Sequence, residues 1–214
     1  MKKWKKRLIL LLVVAMAMGG YRLYHYMRIK NVFDEIFYSE LELKKKGKAN
    51  PSLGNVENIN KGAGWGSRDD IWYEGYFMLE QYKREVLDAD KYMSIEFING
   101  MGREQMLAVK YIFTFAEKID LYIRYEYYVS KKQVYEQISI YDGTLKNNRD
   151  IETREEIESY LKKYNISKEE VQALAQEGLY EIFLTDWFEG NKKYTRFSME
   201  DLGDVEIIRD DLFD

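Results

Sequence analysis

Cysteine is absent from the 214 residues, and histidine and proline occur once each, as His25 and Pro51. Without cysteine there is no disulfide scaffold, no thiolate zinc site, no cysteine nucleophile and no lipid-modified N-terminal cysteine. A single histidine removes imidazole metal clusters and nearly all histidine-based triads. His25 itself lies between Tyr24 and Tyr26, with no serine or carboxylate pattern around it, and reads as interfacial packing. Internal repeats and low-complexity tracts are also missing.

Positive charge is scarce outside one short segment. Residues 1–28 hold seven of the 33 Lys and Arg and none of the 37 Asp and Glu, which leaves 26 basic against 37 acidic residues in 29–214, a balance of −11. An acidic body lacks the basic footprint that nucleic-acid phosphates require, so nucleic acid is excluded as a partner. Hydrophobic residues at 46% and charged residues at 33% suit one globular domain with its own core.

The basic residues that open the chain have a purpose. Lys2-Lys3-Trp4-Lys5-Lys6-Arg7 precedes an apolar run from Leu8 to Met18, then Gly19-Gly20. A basic prefix before a short apolar stretch marks a signal peptide or signal anchor, with the lysines left on the cytoplasmic side and the body exported. Ala15-Met16-Ala17 fits the small-x-small pattern of signal peptidase, whereas Tyr21, Tyr24 and Tyr26 fit an interfacial belt on a retained anchor. Residues 1–28 are therefore read as the export or anchor segment, and 29–214 as a single domain on the extracytoplasmic face of the membrane.

Within that domain, Ile29, Val32, Phe33, Ile36 and Phe37 recur at helical spacing and predict a helix over 29–46. Residues 47–68 hold five Gly, four Asn and Pro51, and read as a loop. From Asp70 to Asp142 the period becomes two. Ile119, Leu121, Ile123, Tyr125, Tyr127 and Val129 alternate with polar positions, and Val134, Ile138 and Ile140 do so after a Ser-Lys-Lys turn. Leu107 to Phe115 is apolar on both sides, with Ala108 and Ile112 on the second, as a central strand would be.

Two helices follow, opened by capping boxes Thr153/Glu156 and Ser167/Glu170, the second running to Gly190-Asn191. Short strand-like runs at Tyr194–Met199 and Val205–Ile208 precede an acidic tail. The fold class expected is α+β: a curved antiparallel meander with helices packed on one face, preceded by the export segment.

Sites for chemistry are thin. Gly62-Ala63-Gly64-Trp65-Gly66-Ser67 lacks the lysine of a phosphate loop, and the carboxylates at Asp69-Asp70, Asp88, Asp90 and the tail have no calcium-loop register. No catalytic residue, metal ligand or cofactor site is assigned, and the protein is read as a non-enzyme. The feature that stands out is the polar side of the meander, Tyr92, Glu96, Tyr122, Arg124, Glu126, Tyr128, Tyr135, Gln137 and Tyr141. Tyrosine and arginine are favoured at binding hot spots, and tyrosine is also a good strand former that pairs across a sheet with no ligand at all. With 19 tyrosines in the chain, both readings of this face stand open.

Taken in order, the export segment, the helix Asn31-Val32-Phe33-Asp34-Glu35-Ile36-Phe37-Tyr38, the tyrosine-rich meander and the helical acidic C-terminal part resemble the TipC family of immunity proteins. That family protects Gram-positive cells from TelC-type toxins exported by type VII secretion. The resemblance spans nearly the whole chain and implies a protein outside the cytoplasmic membrane whose concave sheet binds and neutralises a lipid II-degrading toxin. The face residues above come from alternation alone. Two other readings are a membrane-anchored envelope protein holding a lipid or small ligand in a cup-shaped sheet, and a cell-envelope hydrolase using paired carboxylates.

Overall fold

The computed structural model describes residues 3–45, 79–88, 90–98, 104–145, 149–193 and 195–213, and for some of these, including His25 and Glu96, the backbone alone. The glycine-rich stretch 47–68, the Gly62–Ser67 segment, Asp69-Asp70 and the first residues expected in the meander lie outside the described residues.

The chain begins with α1, Lys3–Arg28, a single 26-residue helix about 39 Å long at 1.5 Å per residue. Its apolar side chains, Ile9 to Val14, Met16 and Met18 among them, are exposed rather than packed on the domain. No helix among the described residues is long and apolar enough to cross a membrane.

The next helix, α2, runs Val32–Lys45 and starts later than the apolar spacing suggests. Lys30 and Asn31 are withheld from it by other bonds. The Lys30 carbonyl accepts from Asp204 N–H at 3.0 Å, Val32 N–H donates to the Leu202 carbonyl at 2.8 Å, and Asn31 bridges to Gly203. The Asn31 side-chain carbonyl then accepts from Asp34 N–H at 2.9 Å and caps the helix. Val32, Phe33, Ile36 and Phe37, the predicted stripe, are all buried.

The meander follows as β1 (Leu79–Asp88), β2 (Lys91–Ile98), β3 (Met106–Ala116), β4 (Ile119–Tyr128) and β5 (Gln133–Asp142), each antiparallel to the next, forming an open, curved sheet. Alternation sets the faces as expected: Ile119, Leu121, Ile123, Tyr125 and Tyr127 are buried on one side, and Asp120, Tyr122, Arg124 and Tyr128 are half-buried on the other. β3 is central, with Leu107, Ala108 and Val109 all buried. Lys118 and Lys132 take positive φ, 62° and 57°, at the tight turns on either side of β4.

One edge of β5 is shared. β6 (Arg149–Ile151) pairs antiparallel with its far end, and β7 (Glu206–Ile208) pairs parallel with Gln133–Tyr135, so the sheet is not purely antiparallel. Between the two, Ile138 N–H donates to the Asp210 carboxylate at 2.8 Å, satisfying an edge donor that no strand reaches. Of the two strand-like runs near the C-terminus only the second forms a strand; residues 195–199 are irregular, with Thr195 hydroxyl donating to Glu35 at 2.5 Å.

Helices cover the apolar face, as expected. α3 spans Arg154–Lys163 and α4 Lys168–Gln176; the chain continues as a π-helix, Glu177–Leu184, and returns to α as α5, Thr185–Asn191. The Ser167/Glu170 capping box is formed in both directions. The Thr153/Glu156 box is not: the Thr153 hydroxyl donates to the Glu156 carboxylate at 2.9 Å and accepts nothing from the helix backbone. The π segment, wider than an α turn, brings Gly178 against Tyr111, where an added Cβ would lie 2.8 Å from the ring. Trp187, Leu179, Phe183 and Leu184 complete the core against β3 and β4.

Candidate binding face of the sheet

The side of the sheet away from the helices is organised in cross-strand rows. Register aligns Tyr92, Ile112, Tyr122 and Ser139 in one row over β2 to β5. Ser94, Lys110, Arg124 and Gln137 form the next, and Glu96, Ala108, Glu126 and Tyr135 the third. Each row crosses four strands, about 14 Å at 4.8 Å per strand. All nine residues read from alternation as candidate contacts, Tyr92, Glu96, Tyr122, Arg124, Glu126, Tyr128, Tyr135, Gln137 and Tyr141, fall on positions of this face by that register.

Seven of the nine lie on β4 and β5, and six of these are gathered into two clusters. In the first, Tyr122 and Tyr141 stack with ring centroids 5.9 Å apart and planes 7° off parallel, and Lys110 Nζ lies 3.6 Å from the Tyr122 centroid. Both contacts hold an aromatic ring in one orientation. In the second, Arg124 pairs with Glu126 at 2.8 Å, and the Tyr128 hydroxyl donates to the other Glu126 oxygen at 2.6 Å. Tyr128 meets Tyr135 edge-on at 5.5 Å, and the Tyr135 hydroxyl donates to Gln133 at 2.8 Å. Lys131 caps the pair, 4.6 Å from the Tyr128 centroid and 5.4 Å from that of Tyr135. Gln137, exposed, stands across from Arg124 and outside both clusters.

Burial, and after it the bond to Glu126, pushes the Tyr128 hydroxyl up to about 12, so it stays a donor at any physiological pH. The charges on this face are mixed, Lys110, Arg124 and Lys131 against Asp120, Glu126, the Glu96 position and Glu104 beside Lys131, so neither sign dominates it. No group of three or more His, Asp or Glu among the described residues could hold a metal ion.

Sequence reasoning missed Lys110 and Lys131. Lys110 sits among the apolar residues of a central strand, and Lys131 sits in a turn; only the registers of β3 with β4 and β4 with β5 put their ammonium groups over tyrosine rings. What the arrangement can do is recognise: its rings, fork and ammonium groups are already held by one another, which lowers the ordering cost of contact with a partner.

An open, mainly antiparallel sheet backed by helices on one face defines an α+β class of small single-sheet proteins. The model for the TipC immunity protein-like family matches residues 5–210, and the chain belongs to that family. Membership supports an immunity role and implies binding to a cognate toxin protein. No curated protein sequence matches the chain. Among solved structures, that of TipC2 from Streptococcus intermedius B196 is similar in fold, with a TM-score of 0.64 over 85% of this chain and 96% of that one, at 19% identity.

Proposed function

We propose that this chain is an immunity protein that neutralises a TelC-like, lipid II-degrading toxin exported by type VII secretion, and that it does so by stoichiometric binding rather than by catalysis. The toxin docks on the face formed by β2 to β5, with the two clusters about Tyr122 and Tyr128 at the centre. The observation that supports this reading is the interlocking of Tyr122, Tyr141, Tyr128 and Tyr135 with Lys110, Arg124 and Lys131 on the side of the sheet away from the described helices. Large, rigid, amphipathic side chains in fixed rotamers are the groups from which interface hot spots are made.

The same proposal puts the domain on the outer side of the cytoplasmic membrane of a Gram-positive cell. The basic start of α1, followed by exposed apolar side chains, supports its use as an export signal or short anchor. Externally added protease should then reach the body in intact protoplasts; protection without lysis argues decisively against export. For binding, the decisive experiment is a titration of the full chain against the product of the neighbouring gene. No association, or a reproducible hydrolytic activity lost on replacing one carboxylate, overturns the immunity reading.

A further inference from the structure

On the helix-covered side, where β2 begins and β3 ends, the two layers do not close. An open trough of about 660 Å³ lies between Phe113 and Phe115 of β3, the α3–α4 connection at Tyr164 and Ile166, and Ala173 and Leu174 of α4. All but the exposed Ala173 have one side on the core and the other toward the trough; Phe115 and Tyr164 meet edge-on at 5.1 Å. The floor is therefore apolar and fixed from beneath.

Acidic residues predominate at the rim. Asp90, Glu170, Glu177 and Glu181 line it, against Lys91 as the one cation among the described lining residues. Lys91 is spent within the rim, 2.7 and 3.0 Å from the two Glu177 oxygens. Asp90 and Glu181 then stand above a half-exposed apolar floor, together with Glu170, one oxygen of which accepts from Ser167 N–H in the capping box. Because the trough is open rather than enclosed, a chain lying in it need not end inside it, as a ligand in an enclosed small-molecule pocket must.

We infer that this trough is a second docking surface, which takes a peptide segment of a partner protein carrying lysine or arginine beside large apolar side chains. The apolar side chains fill the floor left between Phe113 and Leu174, and the cations meet Asp90, Glu170 and Glu181. The surface lies on the opposite side of the sheet from Tyr122 and Tyr128, so it can be occupied while that face is engaged.

The test uses the full chain in phosphatidylcholine nanodiscs, with empty nanodiscs as the blank, and two labelled ten-residue peptides, one alternating lysine with leucine and one alternating glutamate with leucine. Fluorescence anisotropy should show the lysine peptide binding and the glutamate peptide not. Ala173→Trp, which fills the trough from an exposed helix position, and Glu181→Lys, which reverses a rim charge, should each weaken binding by about ten-fold or more. Neither should alter toxin binding, and alanine at Tyr122, Tyr128 and Tyr135 should leave peptide binding unchanged. Equal affinity of parent and variants, equal binding of the two peptides, or no binding at about 1 mM overturns the proposal. If Ala173→Trp fails to fold, Glu181→Lys, an exposed substitution, separates the same outcomes by itself.

Discussion

Lys132 Nζ lies 2.6 and 2.9 Å from the two carboxylate oxygens of Asp34, a side chain with no exposed surface. The positive φ of Lys132 turns it back over the β4–β5 connection toward α2. The same carboxylate accepts from the Tyr127 hydroxyl at 2.7 Å and from Lys30 N–H at 2.8 Å. Burial, and then the Asp34 charge, pushes the Tyr127 hydroxyl well above its ordinary range, so it remains a donor. Asn31 joins the group through Nδ2, which donates to Tyr127 at 3.0 Å and to the Asp204 carbonyl at 2.8 Å. A buried carboxylate with this many donors is compensated, and it ties the first helix of the domain to the sheet and to the C-terminal stretch. Gly203, at φ 85°, allows the close approach: an added Cβ would lie 2.5 Å from the Lys30 carbonyl.

Breaking this pair from one side leaves a buried charge without its partner. Lys132→Met should cost about 2 kcal/mol, below the full penalty for a buried pair because Lys132 is itself partly exposed. Adding Asp34→Asn should return part of that loss, since the remaining group is neutral and its one oxygen can still accept from Lys30 N–H, although the amide nitrogen then meets the Tyr127 hydroxyl in place of an acceptor. Urea unfolding of the single and double variants measures both. An unchanged midpoint for Lys132→Met means the pair contributes nothing to stability.

The register of β4 makes a sharper contrast. Ile123 is fully buried beneath the helices, and Gln137 is exposed on the other face. Ile123→Asp should cost on the order of 3 kcal/mol or more, whereas Gln137→Asp should stay within about 0.5 kcal/mol. Thermal melts of the two variants decide the matter. Similar melting temperatures would mean that the two faces of the strands were assigned wrongly.

That register was legible in the sequence because each face of β4 is uniform over ten residues, so a slip by one would bury Arg124 and expose Ile123. The Asp34–Lys132 pair was not legible. Its partners are 98 residues apart, and Asp34 reads locally as one acid in a helix's first turn. The π segment escaped for a different reason: a stripe of Leu179, Ile182 and Phe183 suits either helix, and the choice is made by Gly178 meeting Tyr111. β7 could be read as a strand but not as a parallel one, since nothing in Glu206–Ile208 names its neighbour. On the candidate face, tyrosine positions followed from alternation, while the lysines above them needed cross-strand register.

Stability should also rise on mild acidification. Burial is the largest influence on Glu35, Glu136 and Asp210 and raises all three carboxyls above their ordinary values of 4.5, 4.5 and 3.8. A carboxyl with a raised folded-state pKa takes up its proton in the native state before the unfolded chain does. Stability therefore increases as pH falls from neutrality through the raised values, and that gain is complete near the unfolded values. Asp142 works the other way. The Thr144 hydrogen bond, opposed by burial and helped by Tyr160, holds its carboxyl below 3.8, so its contribution is lost only on further acidification. The expected maximum lies on the acid side of neutrality, and Glu136→Gln should flatten the slope above it. Melting temperatures that fall steadily from pH 7 toward the ordinary carboxylate range would contradict this.

The binding face gives the prediction on which function depends. If the clusters about Tyr122 and Tyr128 form the centre of the toxin contact, truncating either ring removes contact area and also releases the neighbour it holds. Tyr128→Ala frees Glu126 on one side and Tyr135 on the other; Tyr135→Ala removes the edge-on partner and one of the two rings beneath Lys131. Each should weaken toxin binding by about 1 to 3 kcal/mol, roughly 5- to 150-fold. Both side chains are partly exposed and outside the core, so melting temperature should change little. Gln137→Ala, outside either cluster, should have a small effect on affinity. Lys110→Ala distinguishes a positioned ring from a merely present one, because it leaves Tyr122 in place but removes the ammonium group 3.6 Å above it. Association of the parent should slow with added salt if the toxin's facing surface is basic and so complements the acidic body, with dissociation changing less. Titrations against the cognate toxin, with thermal melts alongside, read all of these. Full affinity and full cell protection after simultaneous alanine substitution at Tyr122, Tyr128 and Tyr135 would remove the sheet face from the mechanism and require the toxin to bind elsewhere on the domain.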